Sequence, residues 1–424
     1  MASEGSGTSA TWTVTERQEL PRFILKVSRL IAGSANPTPG SQIDEYIKAM
    51  TERPAEGESA SVFSVRERKE MKLGGQPAGA VYATIRDSDD ISAVRGYLLI
   101  QTAPTEFIVI SVWMADEDFG AVAPLLDKSF RTIEVLPEQE ILSARFQRLT
   151  LGEQFLSHLD EDSLRTAIDP VAKVGDLPAP RWYRLARTLS DGTEVESGYL
   201  TITVVEAAQG VANPEQPESK WGPSEKEMGL LVRLQVRMLL DEKGTAVSDT
   251  EGRYWVRWDR QREFWTSRST QRREKAARTS TQLGVRAAPT PHVPRPVLEI
   301  ADSRPGEISA VPRRLQVPSS AYISLAEALV LPRLLAREGM EGEYGFNWFD
   351  PRSDRPTQRR DVIKRVGDDF VLESQSTLEA PAVAQRLGAR GVLKSQRGDD
   401  GAFTEAIDPN ALLRLWRQKG LPTG

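Results

Sequence analysis

Over most of the chain apolar and polar residues alternate one by one, the period-two pattern of strands that bury one face. Early on, Phe23, Leu25 and Val27 alternate with Arg22, Ile24 and Lys26, and stretches 12–19 and 22–30 read as two strands broken at Pro21. Further strands are expected over 62–71, 78–85, 94–102 and 106–114. Gly74-Gly75 supplies one turn, and Ala103-Pro104-Thr105 marks a hairpin. Two segments change to helical spacing. Ile43, Tyr46, Ile47 and Met50 predict a helix over 42–52 with Ser41 as its N-cap. Phe119, Val122, Leu125, Leu126 and Phe130 predict an amphipathic helix opened by Asp116. Residues 132–136 read as a short closing strand. Antiparallel strands with an early and a late helix on a single sheet face predict an α+β sandwich over 12–137.

Residues 138–179 lean helical and read as a linker or the start of a second domain, which extends over 180–424. There the alternation strengthens. Strands over 181–188 and 197–205 flank Asp191-Gly192, a hairpin signal. Leu230, Val232, Leu234, Val236 and Met238 alternate with Leu231, Arg233, Gln235 and Arg237. Residues 253–259 and 263–270 form the next pair, with more strands near 279–285, 297–300, 343–349, 362–366, 370–376, 391–395 and 402–406. One long helix is expected over 320–337, carrying Tyr322, Leu325, Ala326, Leu329, Leu334 and Leu335, with a kink at Pro332. A terminal helix over 409–419 follows Asp408, an N-cap with proline in the first turn. Seven prolines between 286 and 320 mark an irregular crossover. The expected class is α+β: an antiparallel, β-rich, two-domain protein whose second domain is a large curved antiparallel sheet with a packed long helix.

Part of the first domain resembles a known family. Gly79-Ala-Val-Tyr-Ala83, the strand pair Gly96-Tyr-Leu-Leu-Ile100 and Phe107-Ile-Val-Ile-Ser-Val-Trp113, and Leu125-Leu-Asp-Lys-Ser-Phe-Arg-Thr-Ile133 resemble the second half of a PsbP-like domain. That resemblance implies a non-enzymatic accessory or binding module. The strand count, tryptophan-bearing hairpins and long apolar helix of 180–424 resemble the lipoprotein-carrier (LolA-like) half-barrel. This second resemblance implies a concave face that takes an acyl chain.

Composition removes several chemistries. The 424 residues contain no cysteine and two histidines, and carry a net charge of −5. A disulfide scaffold, a thiolate metal site and a catalytic cysteine are excluded. Two histidines argue against a multi-histidine metal centre. Neither part of the chain is basic enough for a dedicated nucleic-acid domain. No apolar run approaches the roughly 18 residues of a membrane helix. The first ten residues lack a signal-peptide pattern, so the chain reads as cytoplasmic, or as extracytoplasmic after removal of a signal.

The candidate binding residues are Tyr254, Trp255, Trp258, Trp265 and Tyr322. The first four lie in a segment, 253–278, with nine basic and three acidic residues. Aromatic faces beside cations suit a nucleic-acid strand or an anionic head group. Strand alternation alone also generates the pattern, burying one aromatic row and exposing an arginine row with matching acids. The acidic groups at 87/89/90, 116/117/118 and 160/161/162 lack a calcium-loop pattern, and the latter two lie where helices begin. His158 and His292 have no Gly-x-Ser-x-Gly elbow nearby. No catalytic residue, metal ligand or cofactor is assigned. The expected function is a non-enzymatic binding or accessory protein holding an apolar or amphipathic ligand, or a protein partner, on a concave sheet. The alternatives are a carboxylate-dependent hydrolase, with two carboxylates about 5–10 Å apart, and an assembly scaffold acting through its surface.

Overall fold

The computed structural model describes residues 2–6, 9–14, 22–34, 36–52, 62–86, 92–136, 138–171, 178–241, 243–273, 276–287, 295–303, 311–318, 320–378, 380–398 and 401–422. They form two compact units, 1–142 and 143–424. The fold is α+β and antiparallel throughout its two sheets.

Unit 1 holds β1 (Ala2–Ser6), β2 (Ser9–Val14), β3 (Phe23–Ile31), α1 (Pro39–Glu52), β4 (Val62–Leu73), β5 (Gln76–Arg86), β6 (Ser92–Ala103), β7 (Glu106–Ala115) and α2 (Phe119–Phe130). Its seven strands run in the order β1-β2-β3-β7-β6-β5-β4. The two helices cover opposite faces, not the single face expected. Ile43 of α1 packs with Val81, Leu99, Phe107 and Val109. Val122, Leu126 and Phe130 of α2 pack with Ala80, Tyr82, Leu98, Ile110 and Val112. Alternate residues of β5 and β6 therefore enter different cores. Residues 78–84 are buried without interruption, the signature of a strand covered on both sides.

Three local expectations are corrected. Helix α1 begins before Ser41, where Thr38 Oγ1 accepts from the Ser41 amide at 3.1 Å and Ser41 Oγ accepts from the Thr38 amide at 2.9 Å. Residues 132–136 form no strand; Ile133 and Val135 pack beside the α2 core instead. Of the strand expected over 12–19, residues 12–14 belong to β2 and 15–19 lie outside the described residues.

Unit 2 begins within α3 (Glu138–Ser157), followed by α4 (Glu161–Arg165). A first run of strands comprises β8 (Arg181–Thr188), β9 (Glu194–Ala208), β10 (Met228–Leu239), β11 (Ala246–Arg257), β12 (Glu263–Arg273), β13 (Ala276–Arg286), β14 (Val297–Ser303) and β15 (Arg313–Gln316). After α5 (Leu325–Arg337) a second run comprises β16 (Gly342–Asp350), β17 (Arg355–Val366), β18 (Asp369–Gln375), β19 (Val383–Leu387), β20 (Leu393–Arg397) and β21 (Ala402–Ala406). Helix α6 (Pro409–Gln418) follows, with Asp408 Oδ1 accepting from the Asn410 and Ala411 amides as its N-cap.

Each run is a meander, and β8 pairs with β21 to join them into one fourteen-stranded sheet. Arg184 clamps that junction, donating to Glu196 on β9 at 2.6 Å and to Glu405 on β21 at 2.9 Å. The free edges, β15 and β16, are neighbours in the sequence and come together in space. Arg313 pairs with Asp354 in the β16–β17 turn at 2.5 Å, and Tyr322 forms a parallel bridge to Asn347. The edges, which would otherwise present unpaired backbone, are thereby partly closed.

Helix α5 starts at Leu325, later than the expected position 320. Ser324 is its N-cap and completes a capping box with Glu327. Residues 321 and 323 exchange backbone hydrogen bonds with Asn347 instead. Val330, Leu331, Leu334 and Leu335 are fully buried among Val204, Leu230, Val232 and Val256 of the first run and Tyr344, Phe346, Ile363 and Leu372 of the second. The sheet is thus rolled around α5, with Phe155 and Leu156 of α3 in the same core. Fully burying each such leucine stabilises by about 1.5–3 kcal/mol. Helix α5, the packed long helix expected from the sequence, occupies this part of the concave face.

Candidate functional site

Cross-strand register fixes which side chains of the first run face inward. Leu230 and Val232, both in the α5 core, lie opposite Val256 and Tyr254 of β11, and Tyr254 lies opposite Trp265 of β12. Tyr254, Trp258 and Trp265 therefore point inward and Trp255 points outward, the alternation expected from the sequence. Trp265 is 1% exposed and stacks on Phe349 at 5.8 Å. Trp255 is equally buried on the reverse face, where its indole N–H donates to the Ala207 carbonyl at 3.0 Å. Trp258 is half-buried under the Arg165 guanidinium, 4.4 Å from the ring centroid. Tyr254 and Tyr322 join the cluster around Trp265. The five candidates are thus divided between two cores and present no common aromatic platform.

Five arginines of this segment, at 253, 257, 260, 262 and 272, are matched by acids. Arg257 pairs with Asp259 at 2.5 Å and Arg253 with Glu251 at 2.7 Å. Arg262 pairs with Glu227 at 2.9 Å. Arg260 enters the interior with φ +64°, pairs with Glu327, and donates to the Leu156 carbonyl at 2.9 Å and the Tyr322 carbonyl at 3.2 Å. Beside it, Glu263 Oε1 accepts from Arg286 Nε at 2.9 Å and from the Tyr322 hydroxyl at 2.6 Å. Burial raises the Glu263 and Tyr322 pKa values. Burial also opposes ionisation of Glu327, yet Arg260 and Ser324 hold its pKa below the ordinary range. Both carboxylates are almost wholly enclosed. Their contacts tie the β11–β12 turn to the entry of α5, and neither forms the floor of a cleft.

Other candidates resolve into local structure. His158 Nδ1 lies 2.7 Å from the Gln154 carbonyl, one turn back along α3. Asp160 caps α4 by accepting from the Ser163 amide at 2.8 Å. Asp116 pairs with Arg66 and accepts from Ser92. His292 and the acids at 87, 89 and 90 lie outside the described residues. Among the described residues no group of three His, Asp or Glu side chains is placed to hold a metal ion. No described helix is long and apolar enough to cross a membrane.

One stretch of the inward face has a different character. Toward the far ends of β9 and β10, Leu200, Ile202, Leu234 and Val236 are only half-buried, and Met238 is 37% exposed. Register places Val236 between Leu200 and Thr250, and Thr250 opposite Ser269. Thr250 Oγ1 donates to Ser269 Oγ at 3.1 Å, and Ser269 lies opposite Ser280 of β13. An apolar strip on β9–β10 therefore borders a hydroxyl-bearing strip on β11–β13. The sequence contained this contrast, since the inward row of β10 stays apolar while those of β11 and β12 turn to Ser and Thr. What strand alternation could not supply was where α5 would stop covering it. On the reverse face of the same strands lies a polar basin of about 430 Å³ lined by Tyr199, Arg237, Asp249, Arg268 and Arg272. Arg237 and Arg272 both lie against Asp249, at 2.6 and 3.5 Å, so much of its charge is internally matched.

No family model and no curated protein matches the chain. Among solved structures, it is similar to the Pseudomonas aeruginosa protein PA94, of unknown function, at 11% identity and a TM-score of 0.25, over 32% of this chain and 87% of that one. It is also similar to a β-barrel-like protein of Brucella abortus from the domain of unknown function DUF1849, at 12% identity and a TM-score of 0.31, over 55% of this chain and 98% of that one. Both TM-scores are too low for either likeness to bear on fold or function.

Proposed function

We propose that the chain is a non-enzymatic binding protein and that unit 2 holds an amphipathic ligand on the part of its concave face that α5 leaves uncovered. The carrying observation is the strip of Leu200, Leu234, Val236 and Met238 beside the Ser/Thr strip of Thr250, Ser267 and Ser269. An acyl or other apolar body gains about 25 cal/mol per Å² of surface buried on the first strip, while a polar group finds hydroxyl partners on the second. The filled core beside α5 restricts binding to this end and disfavours a ligand threaded through the interior. The same enclosure disfavours hydrolysis by Glu263 and Glu327, because substrate has no route to them.

The test is native mass spectrometry of the protein purified from its own host, wild type and Val236→Glu. The expected spectrum shows a small-molecule adduct on the wild type that the variant loses while circular dichroism stays unchanged. Absence of any adduct, or an adduct kept at full occupancy by the variant, refutes the reading. A protein partner captured without a small molecule would favour the surface-acting scaffold instead.

A further inference from the structure

The ends of β12 and β13 carry an excess of charge that the binding strip does not use. Residues 271–273 and 276–278 are all exposed, whichever face of the sheet they belong to. β14 pairs with β13 only over Thr281–Arg286, so the last stretch of the hairpin has one open flank. Register places Arg273 and Arg278 on the inward face and Arg268 and Arg272 on the reverse. Three observations set this end apart from the matched charge elsewhere on the same strands.

The first is balance. The described residues of 267–281 hold these four guanidinium groups and no carboxylate. Arg272 lies 3.5 Å from Asp249, which Arg237 already holds at 2.6 Å. Glu251, the register neighbour of Arg268, is taken by Arg253 at 2.7 Å. Arg268, Arg273 and Arg278 have no ion pair among the described residues. The second is the apolar company. Met238, Ser248, Gln271 and Arg278 form one cross-strand row, so the apolar strip opens onto the arginines. In the adjoining β10–β11 turn Leu240 is 53% exposed. The Asp241 carboxylate of that turn is spent on the Thr245 and Ala246 amides at 2.9 and 2.7 Å, and Lys243 is exposed. The third is the lack of aromatic rings: residues 266–281 contain none.

We infer that this end of unit 2 docks on an anionic lipid surface, with its arginines on lipid phosphates and Leu240 and Met238 in the head-group layer. Guanidinium groups suit phosphate in charge and geometry, and basic clusters are drawn to the negative potential of anionic lipids. Apolar side chains beside them gain by entering the boundary between head groups and acyl chains. A single nucleic-acid strand is held by aromatic stacking platforms beside its cations, and this end has no such platform. The inference rests on the amphipathic-strip reading for what docking serves, since the open row of the strip then faces the surface that supplies or receives an apolar chain. The docking itself is measured apart from any ligand.

The test is co-sedimentation of the full chain with vesicles of phosphatidylcholine alone and of phosphatidylcholine mixed equally with phosphatidylglycerol. Binding to the mixed vesicles alone is expected. It should be lost as salt rises from about 0.1 M to about 1 M, where the screening length falls from roughly 10 to 3 Å. Each basic side chain beside an anionic surface strengthens binding by roughly five-fold, so Arg272→Gln/Arg273→Gln/Arg278→Gln should weaken it about ten-fold or more with circular dichroism unchanged. Leu240→Ser should weaken it about three-fold. Lys364→Gln/Arg365→Gln, which removes exposed cations near the β17–β18 turn, should leave it unchanged. The inference fails if the mixed vesicles do not bind the chain, if both vesicles bind it equally, or if the control weakens binding as much as the triple variant. It also fails if a single-stranded oligonucleotide binds with the same arginine dependence while Leu240→Ser has no effect on vesicle binding, a result that assigns the surface to nucleic acid. A ligand adduct in native mass spectra without vesicle binding removes this inference and keeps the strip reading; vesicle binding without an adduct does the reverse.

Discussion

Substitution of one glycine tests the packing of α3 against the rolled sheet. A Cβ added at Gly152 would lie 2.0 Å from the Gly345 carbonyl oxygen, 3.1 Å from its carbon and 3.2 Å from Phe346 Cδ1. The obstacle is strand backbone, which cannot rotate aside. Restoring a C···O separation of about 3.3 Å moves the helix back by roughly 1.3 Å. Phe155 and Leu156, on the same helical face, then withdraw from the core they share with Tyr344 and Phe346. A gap of 0.5–1 Å forfeits about a quarter to a half of the dispersion well. Complete truncation of a Phe and a Leu costs about 3–5 and 2–5 kcal/mol, so partial withdrawal of the pair costs about 1.5–4 kcal/mol. Alanine returns about 1 kcal/mol of helix propensity. Gly152→Ala should therefore destabilise unit 2 by about 0.5–3 kcal/mol net. Urea unfolding followed by tryptophan fluorescence reads this directly, because seven of the nine tryptophans lie beyond residue 180. Gly120→Ala in α2 is the control: nothing lies within 4 Å of its new Cβ, and a gain of up to about 1 kcal/mol is expected. If Gly152→Ala is as stable as wild type, or gains as Gly120→Ala does, the close approach of α3 to β16 is wrong.

Two further outcomes follow from the buried charges. Glu327→Ala removes both the partner of Arg260 and half of the α5 capping box, and should cost about 3–5 kcal/mol by leaving a guanidinium unpaired; a denaturation midpoint near wild type would show that the pair carries little stability. Acid should also destabilise unit 2. Hydrogen bonding from Arg360 lowers the Glu343 pKa, and Arg260 lowers that of Glu327 against the opposing effect of burial. Their folded-state values lie below the ordinary 4.5, so their contribution is present above pH 4.5 and lost as pH falls through the folded values. Glu263, raised by burial, acts in the opposite direction: its contribution is present at low pH and lost as pH rises through its folded value. With the lowered carboxylates dominant, urea midpoints should fall between pH 5 and about pH 3, and Glu343→Gln should flatten that fall; a midpoint that rises over this range would contradict the assignment.

Much of the local structure was legible because it depends on neighbours in the chain. The inward and outward rows of β10 and β11, the Asp191-Gly192 hairpin and the Asp408 cap all follow from period, turn chemistry and a side-chain oxygen beside free amides. Even the two-sided burial of β5 was written in its unbroken apolar run, although alternation nearby drew the helices onto one face. Strands β15 and β19 escaped notice because Arg313–Gln316 and Val383–Leu387 are short and carry charge on exposed positions. Only tertiary structure decided the rest. Pairing of β8 with β21 joins residues more than 200 positions apart, a contact no local period encodes. That pairing brings both meanders around α5, and so decides which inward side chains become core and which remain open. Backbone periodicity specifies each strand's faces, but the closing of the sheet, a balance of many distant contacts, decides what those faces meet.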